Sequence, residues 1–540
     1  MSDVRRVAII GAGVSGLAAL KSCLEEGLEP VCFERCGEIG GMWNADDNSF
    51  STSSPKTYPS LVSNTSKMMT CFSDFLFSEE TPAYMTQKMI YNYLVRYVDH
   101  FKLRNYIQCK TEIQEVSKAR DYDETGNWEL AIEDSDGKRR VEIFNAVMIC
   151  TGSLRKPRYP DIEGMRSFQG KIEHAMGFRT GEVYKGKNVV VIGNSFSAGD
   201  ISCAAAGYAN QVHISVGQGC TLITRFDENG FPLDMQMLKR EYLYSPTWTI
   251  PFFKKQVMKW SSLAINHDVV GMHSNRDILF SAVMTNDEIG LKIMTGKVKV
   301  VGRVLKMVKR SVHIDDGTVV DDVDVVVFAT GYERHLPFLD NSLVDSAQAI
   351  KDQRNDWYKL IFPVHLRHPT LAMVGMVTAE GPNLPIFEMQ SRFAARVFCG
   401  KLKLPEKCDM LKDIDKWNSD FKLKFSFYKH QVPFIRYMDE VSAELGVKPD
   451  FWKLIWRDPR LAYLCTFGPA SPVQYRLLGP HSNAEAVNHC YAIYKNTFSG
   501  VRHRRVPPRK PITLLPTHIQ ILIAAVFVGV LYCIWLTYFL

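Results

Sequence analysis

The sequence predicts an α/β protein built from two parallel-sheet units of one plan and a terminal apolar helix, on three observations. A β-branched run, Val7-Ala8-Ile9-Ile10, leads straight into the glycine-rich turn Gly11-Ala12-Gly13-Val14-Ser15-Gly16. The same phrase recurs as Val189-Val190-Val191-Ile192 followed by Gly193-Asn194-Ser195-Phe196-Ser197-Ala198. The stretch from Ile519 to Leu540 is apolar almost throughout.

In the first unit Gly11 permits the tight turn, Gly13 a close backbone approach to a pyrophosphate, and Gly16 close packing of the helix that follows. The N–H groups at that helix start, together with its dipole, favour an anion. The helix runs out near Glu25-Glu26-Gly27, and the next strand, Pro30-Val31-Cys32-Phe33, delivers Glu34. An acidic side chain about twenty residues past the glycines accepts hydrogen bonds from an adenosine ribose. A carboxylate there repels a 2′-phosphate, so this turn favours FAD or NAD over NADP. Gly40-Gly41-Met42-Trp43 suits a second close approach to the cofactor, the alternative being a turn with Trp43 in the core. The unit closes on Ala146–Cys150 and Thr151-Gly152, after a hairpin signalled by Asp136-Gly137 between apolar runs.

The second unit closes on Val325–Ala329 and Thr330-Gly331, after a hairpin at Asp316-Gly317. Two such units imply two Rossmann-like dinucleotide-binding domains. Ser195 stands where the middle glycine would be and Ala198 where the last would be, both small enough to keep the approach. Asp200 follows on the new helix. This turn predicts a nicotinamide cofactor.

Residues 1–155 with 332–445 are expected to form the first domain and 156–331 the second. An insertion of about 226–294, rich in aromatic, Met and Pro residues, interrupts the second. It packs over the active site, touches the membrane, or is an ordinary helical excursion on the surface. An irregular extension, 446–510, leads to the anchor, 511–540.

Composition bounds the function. Hydrophobic content of 46% with 23% charged residues over 540 positions excludes disorder and fibres. The net charge of +7 is not gathered into an interleaved basic and aromatic run, so no nucleic-acid partner is expected. The thirteen cysteines are odd in number and irregularly spaced, which argues against a disulfide framework and a zinc site, and no metal ligands are assigned. They suit small buried residues in a reducing compartment. The N-terminal residues lead directly into a strand, with no secretory signal.

The terminal apolar stretch is close to the roughly 20 residues a helix needs to cross a bilayer core. Arg502, Arg504, Arg505, Arg509 and Lys510 precede it, which predicts that this flank stays cytosolic. A tail anchor in membrane lipid is expected, the alternative being a buried core helix.

Taken together, these motifs closely resemble the flavin-containing monooxygenases over essentially the whole chain. The first turn, Glu34, Gly41 with Trp43, and the run Ser63-Asn64-Thr65-Ser66-Lys67 match that family's pattern. So do Phe168, Gly170, His174 and Phe178 at the spacing of its identifying motif, then Phe328-Ala329-Thr330-Gly331-Tyr332, Gln390-Ser391-Arg392 and the tail.

The resemblance implies that NADPH reduces FAD, that O2 adds to the ring as a C4a-hydroperoxide, and that a soft nitrogen or sulfur nucleophile takes the distal oxygen. It implies an endoplasmic reticulum membrane protein with catalytic domains facing the cytosol, small nucleophilic substrates, and room for a homo-oligomer. It places Met42, Trp43, Ser63, Asn64, Thr65, Thr330, Gly331 and Gln390 at the cofactors, with Asn64 as the catalytic residue; a cap on the local turn is the alternative for Asn64. Ser197, Ala198, Gly199 and Asp200 map to the NADP-binding stretch, and His174 to a structural role.

One position departs from the pattern. Two residues beyond the strand Gln211–Ser215, where the family usually carries an arginine suited to a 2′-phosphate, stands Gly217, followed by Gln218. Arg225 or a residue of the insertion is left to compensate. Baeyer–Villiger oxygenation of ketones and a peroxide-producing NADPH oxidase are the alternative activities. A non-catalytic flavoprotein is the non-enzymatic one. A disulfide reductase fits poorly, because Met42 and Trp43 follow the Gly-Gly step where its cysteine pair would stand.

Overall fold

Arg6–Ile10 forms the central strand of a parallel sheet whose strand order is 371–373, 146–149, 6–10, 29–33, 107–108. Val7, Ala8 and Ile9 are fully buried, as a strand covered on both faces requires. This computed structural model describes residues 6–45, 57–244, 247–346, 356–424, 431–504 and 529.

A second parallel sheet repeats the plan around Asn188–Ile192, in the order 298–301, 211–215, 188–192, 325–328, 171–174. The two sheets differ in where the outer strand beside each closing strand comes from. In the second sheet it precedes the unit, at Lys171–His174; in the first it follows the whole second unit, at Leu371–Met373. The chain therefore crosses from the first sheet to the second and back. Register explains the meeting of key residues. Ile10 pairs with both Phe33 and Ile149, so Gly11, Glu34 and Cys150 emerge at one level at the carboxyl ends of the strands. That is where open α/β sheets bind ligands.

Both Asp-Gly hairpins form, at 128–133 with 139–144 and at 311–314 with 319–320. Within 226–294 the longest element is the helix Ile250–Ala264. It buries Val257 and Trp260 against Leu233 and leaves Phe252 and Met258 exposed.

The stretch after Gly446, expected to be irregular, is instead largely helical, with Phe451–Arg457, Pro459–Phe467, Glu485–Tyr491 and Ile493–Phe498. Asp450 and Asp458 cap the first two helices by accepting from the Lys453 and Leu461 amides, each at 3.0 Å. Pro459 opens a helix at its first position, where its missing N–H costs nothing. From this segment Arg476 reaches into the core and pairs with Asp74 at 2.8 Å and Glu388 at 2.9 Å.

Residues up to Val501 form one compact unit. In the second unit, Arg502–Leu540, the expected span 519–540 lies outside the described residues apart from Gly529. Among the described residues no helix is long and apolar enough to cross a membrane.

Candidate active site

The first glycine-rich turn meets a second backbone segment. Gly13 starts the helix Val14–Glu25 without a side-chain cap, and a Cβ on Gly41, at φ +55, would lie 3.1 Å from the Gly13 Cα. Two bare backbones thus face each other beside uncapped helix N–H groups, a cradle suited to a pyrophosphate. Glu34, buried, accepts from the Ala12 amide at 2.7 Å and the Cys36 amide at 2.8 Å. It also faces the cavity, where a ribose hydroxyl would be its partner. Gly11, Gly13, Val14, Ser15, Gly41, Met42 and Trp43 line that cavity; Ala12 and Gly16 stand behind it. A Cβ on Gly16 would fall 1.7 Å from the Gly11 carbonyl oxygen, so only glycine lets the helix seat there. Trp43, partly buried, packs on the core and also lines the cavity.

Ser63, Asn64 and Thr65 line the same cavity, and Arg225, which lines it too, clamps the loop at Val62, Ser63 and Asn64. The guanidinium donates from Nε to the Ser63 carbonyl at 2.9 Å and from Nη2 to the Val62 carbonyl at 3.2 Å and the Asn64 Oδ1 at 3.0 Å. Asp287 balances it at 2.6 Å. Asn64 therefore does not cap the short helix Lys67–Thr70, whose N-cap is Ser66. The Asn64 side chain thus lines the cavity with its oxygen taken up by Arg225. Buried Asp234 accepts from the Ser66 amide at 2.7 Å and the Ser66 hydroxyl at 2.9 Å; burial pushes its carboxyl up to about 6 against those bonds.

In the second turn Ser195, Ser197 and Asp200 line the cavity, while Gly193, Ala198 and Gly199 pack behind it. Ser195 Oγ donates to the Val283 carbonyl at 3.1 Å. A Cβ on Gly199 would lie 2.8 Å from the Met284 sulfur. Asp200 accepts from the Tyr58 hydroxyl at 2.5 Å and the Asn286 amide at 2.9 Å, and burial raises its carboxyl above the usual range. Gly331 lines the cavity; Thr330 does not, its hydroxyl donating to the Arg158 carbonyl at 2.5 Å.

Gln390, expected at a cofactor, is fully buried behind the wall. Its Oε1 accepts from the Gly375 amide at 2.9 Å and its Nε2 donates to the Tyr437 hydroxyl at 2.8 Å, so it positions the cavity-lining Gly375 instead. Arg225, named with the insertion as a substitute for the missing arginine, lines the cavity but directs four of its five guanidinium N–H groups to the 62–64 loop and Asp287. His174 uses both ring nitrogens, Nδ1 accepting from the Met176 amide at 3.1 Å and Nε2 bonding the Gly331 carbonyl at 3.1 Å. Burial lowers its pKa, which keeps the ring neutral in a linking role.

Sequence reasoning missed Tyr58, Asp287 and Glu380. The last lines the cavity from the strand Thr378–Glu380, and burial pushes its carboxyl up to about 8. Both turns, the 63–65 loop and residues of the insertion such as Leu233 and Met237 share this one cavity, about 1980 Å³ in volume. An ordinary small-molecule pocket is roughly 300–1,000 Å³. The excess suits two dinucleotides meeting end to end.

A flavin-binding monooxygenase-like family model matches residues 4–535. Dimethylaniline monooxygenase (N-oxide-forming) 2 of Rattus norvegicus is 37% identical over 487 residues, covering 88% of this chain and 89% of that protein. Flavin-containing monooxygenase 5 of Mus musculus is 36% identical over 482 residues, with the same coverage of 88% and 89%. Among solved structures, S-allyl-L-cysteine S-oxygenase from Allium sativum superposes with a TM-score of 0.62 at 24% identity, over 92% of this chain and 98% of that one. An open cyclohexanone monooxygenase gives 0.57 at 16% identity, over 82% and 97%. At those identities the two structures speak to the fold alone.

Proposed function

Because the chain belongs to the flavin-binding monooxygenase-like family, we propose that it oxygenates soft nitrogen or sulfur nucleophiles of small molecules at the cavity shared by its two turns. It is an oxidoreductase, a flavoprotein monooxygenase using FAD, NADPH and O2. The observation that carries the reading is that both phosphate-cradling turns open on one cavity.

When bound, FAD supplies the redox chemistry, taking electrons from NADPH and passing activated oxygen to the substrate. In this reading the Gly13–Gly41 approach and the helix N-terminus at Val14 hold its pyrophosphate, and Glu34 orients its ribose. Ser195, Ser197 and Asp200 hold the nicotinamide cofactor. Asn64, fixed by Arg225, presents an N–H donor to the reacting region, and apolar side chains such as Leu238 and Val257 exclude water. Residues 1–155 with 332–445 form the FAD domain, a division supported by the strand Leu371–Met373 joining the first sheet. Residues 156–331 form the NADPH domain.

The choice of nitrogen substrates is supported by the N-oxide-forming name of a relative 37% identical to this chain, and sulfur is the other soft nucleophile the reading covers. The apolar stretch Ile519–Leu540 and its basic flank support a C-terminal anchor in the endoplasmic reticulum membrane, with the catalytic part facing the cytosol.

The test is to purify the full chain in detergent and follow its colour and products. A yellow protein that bleaches with NADPH under nitrogen, recolours in air and forms N-oxides or sulfoxides carrying oxygen from ¹⁸O2 fulfils the expectation. A colourless chain that cannot be reconstituted with FAD, or one that turns over ketones alone, overturns it.

A further inference from the structure

In the first unit the strand beside the glycine-rich turn ends at Phe33, and the next residue is the ribose-reading Glu34. The second unit repeats that register. Ile192 pairs with Ser215, so Val216-Gly217-Gln218 occupies the place that Glu34-Arg35-Cys36 holds in the first. This loop carries no carboxylate to repel a 2′-phosphate and no cation to attract one.

A segment of the insertion supplies what the loop lacks. The loop is pinned to the second turn by Asn194, whose Nδ2 donates to the Gly219 carbonyl at 3.1 Å. On its other side it lies against residues 272–276. The Cys220 amide donates to the Met272 carbonyl at 3.0 Å, and a Cβ on Gly219 would fall 2.1 Å from the His273 carbonyl oxygen. From this segment Arg276 donates from Nη2 to the Gln218 Oε1 at 3.1 Å, and the same residue lines the cavity with Ser195 and Ser197.

We infer that Arg276 supplies, from the insertion, the guanidinium that reads the 2′-phosphate of NADPH. It thereby fills the role that Gly217 cannot, with Gln218 holding its side chain at the adenosine ribose. A planar guanidinium offers parallel donors matched to phosphate oxygens, so it binds a phosphate dianion in a way a neutral amide does not. The inference rests on the reading that the second turn binds the nicotinamide cofactor.

Binding tests it without turnover. Dissociation constants for NADP+, 2′,5′-ADP and NAD+ are measured by calorimetry on the oxidised, FAD-loaded full chain. Arg276→Ala is expected to weaken NADP+ and 2′,5′-ADP by about ten- to a hundredfold, the effect of losing a bond to a charged group, and to leave NAD+ within about twofold. Arg276→Lys, which keeps the charge but not the fork, is expected to fall between and covers the case in which the alanine variant does not retain FAD. Equal losses for NADP+ and NAD+, or no loss for either, would overturn the inference. A wild-type chain that prefers NADP+ while both variants keep that preference sinks this assignment alone. A wild-type chain that binds neither nucleotide sinks the second-turn reading with it.

Discussion

Asn64 takes its side-chain orientation from Arg225, 161 positions further along the chain, whose Nη2 donates to its carboxamide oxygen at 3.0 Å. A donor held this way needs no reorganisation when charge develops beside it, which is how preorganised polar groups accelerate a reaction. Asn64→Ala is therefore expected to keep its yellow colour and its bleaching by NADPH while losing about a hundredfold in product formation. Arg225→Gln should show the same pattern, with hydrogen peroxide rising as product falls. Assaying NADPH consumed against product and peroxide checks both, and unchanged coupling in either variant would count against the clamp.

Gly16 tests the packing of the first turn. A Cβ there would lie 1.7 Å from the Gly11 carbonyl oxygen, a backbone atom that cannot step aside. Gly16→Ala is expected to destabilise the protein by about 3 kcal/mol or more and to purify without FAD. Thermal unfolding and the ratio of flavin to protein absorbance read the outcome.

Glu380 gives a pH dependence with a definite sign. Its carboxyl is raised by burial from 4.5 to about 8, so the folded state holds a proton that the unfolded chain has released. Stability from this group is full below pH 4.5 and declines as pH rises towards about 8. Glu380→Gln removes that decline, and its melting temperature should fall less than the wild type's between pH 5 and 8. Parallel melting curves for the two proteins would show that the group is not held neutral.

Arg476 ties the C-terminal helices to the core. Its side chain is 2% exposed and pairs with Asp74 and Glu388, whose own side chains are 13% and 5% exposed. Arg476→Ala leaves Glu388 with only its hydrogen bonds from Ser73 and Asp74 with Lys21 as its remaining cation, and should cost about 3–5 kcal/mol, readable by urea unfolding. A replacement that costs less than about 1 kcal/mol would mean that water reaches the pair.

What the sequence made legible was local. A β-branched run into glycines, an Asp-Gly between alternating strands, and an acid after the next strand each fix their structure within a few neighbouring residues. The two sheets and Glu34 followed from them. The walls of the cavity were less legible, because their partners meet only in the folded chain. Tyr58 reaches Asp200 across 142 positions, Arg225 holds Asn64 across 161, and Gln390 acts through the Gly375 amide. The helices after Gly446 show no clean apolar period. Asp458-Pro459, a cap followed by a proline at the first helical position, was the signal that could have found one of them.

The interleaved path between the sheets sets an order of events during synthesis. The strand Ala146–Ile149 keeps an unpaired edge until Leu371–Met373 has left the ribosome, by which time the entire second sheet has been made. Such an edge invites wrong pairing with other nascent chains. A chain that stops short of Leu371 would be prone to aggregate, and the turn at Gly11–Gly16 gains its finished support only after most of the polypeptide exists.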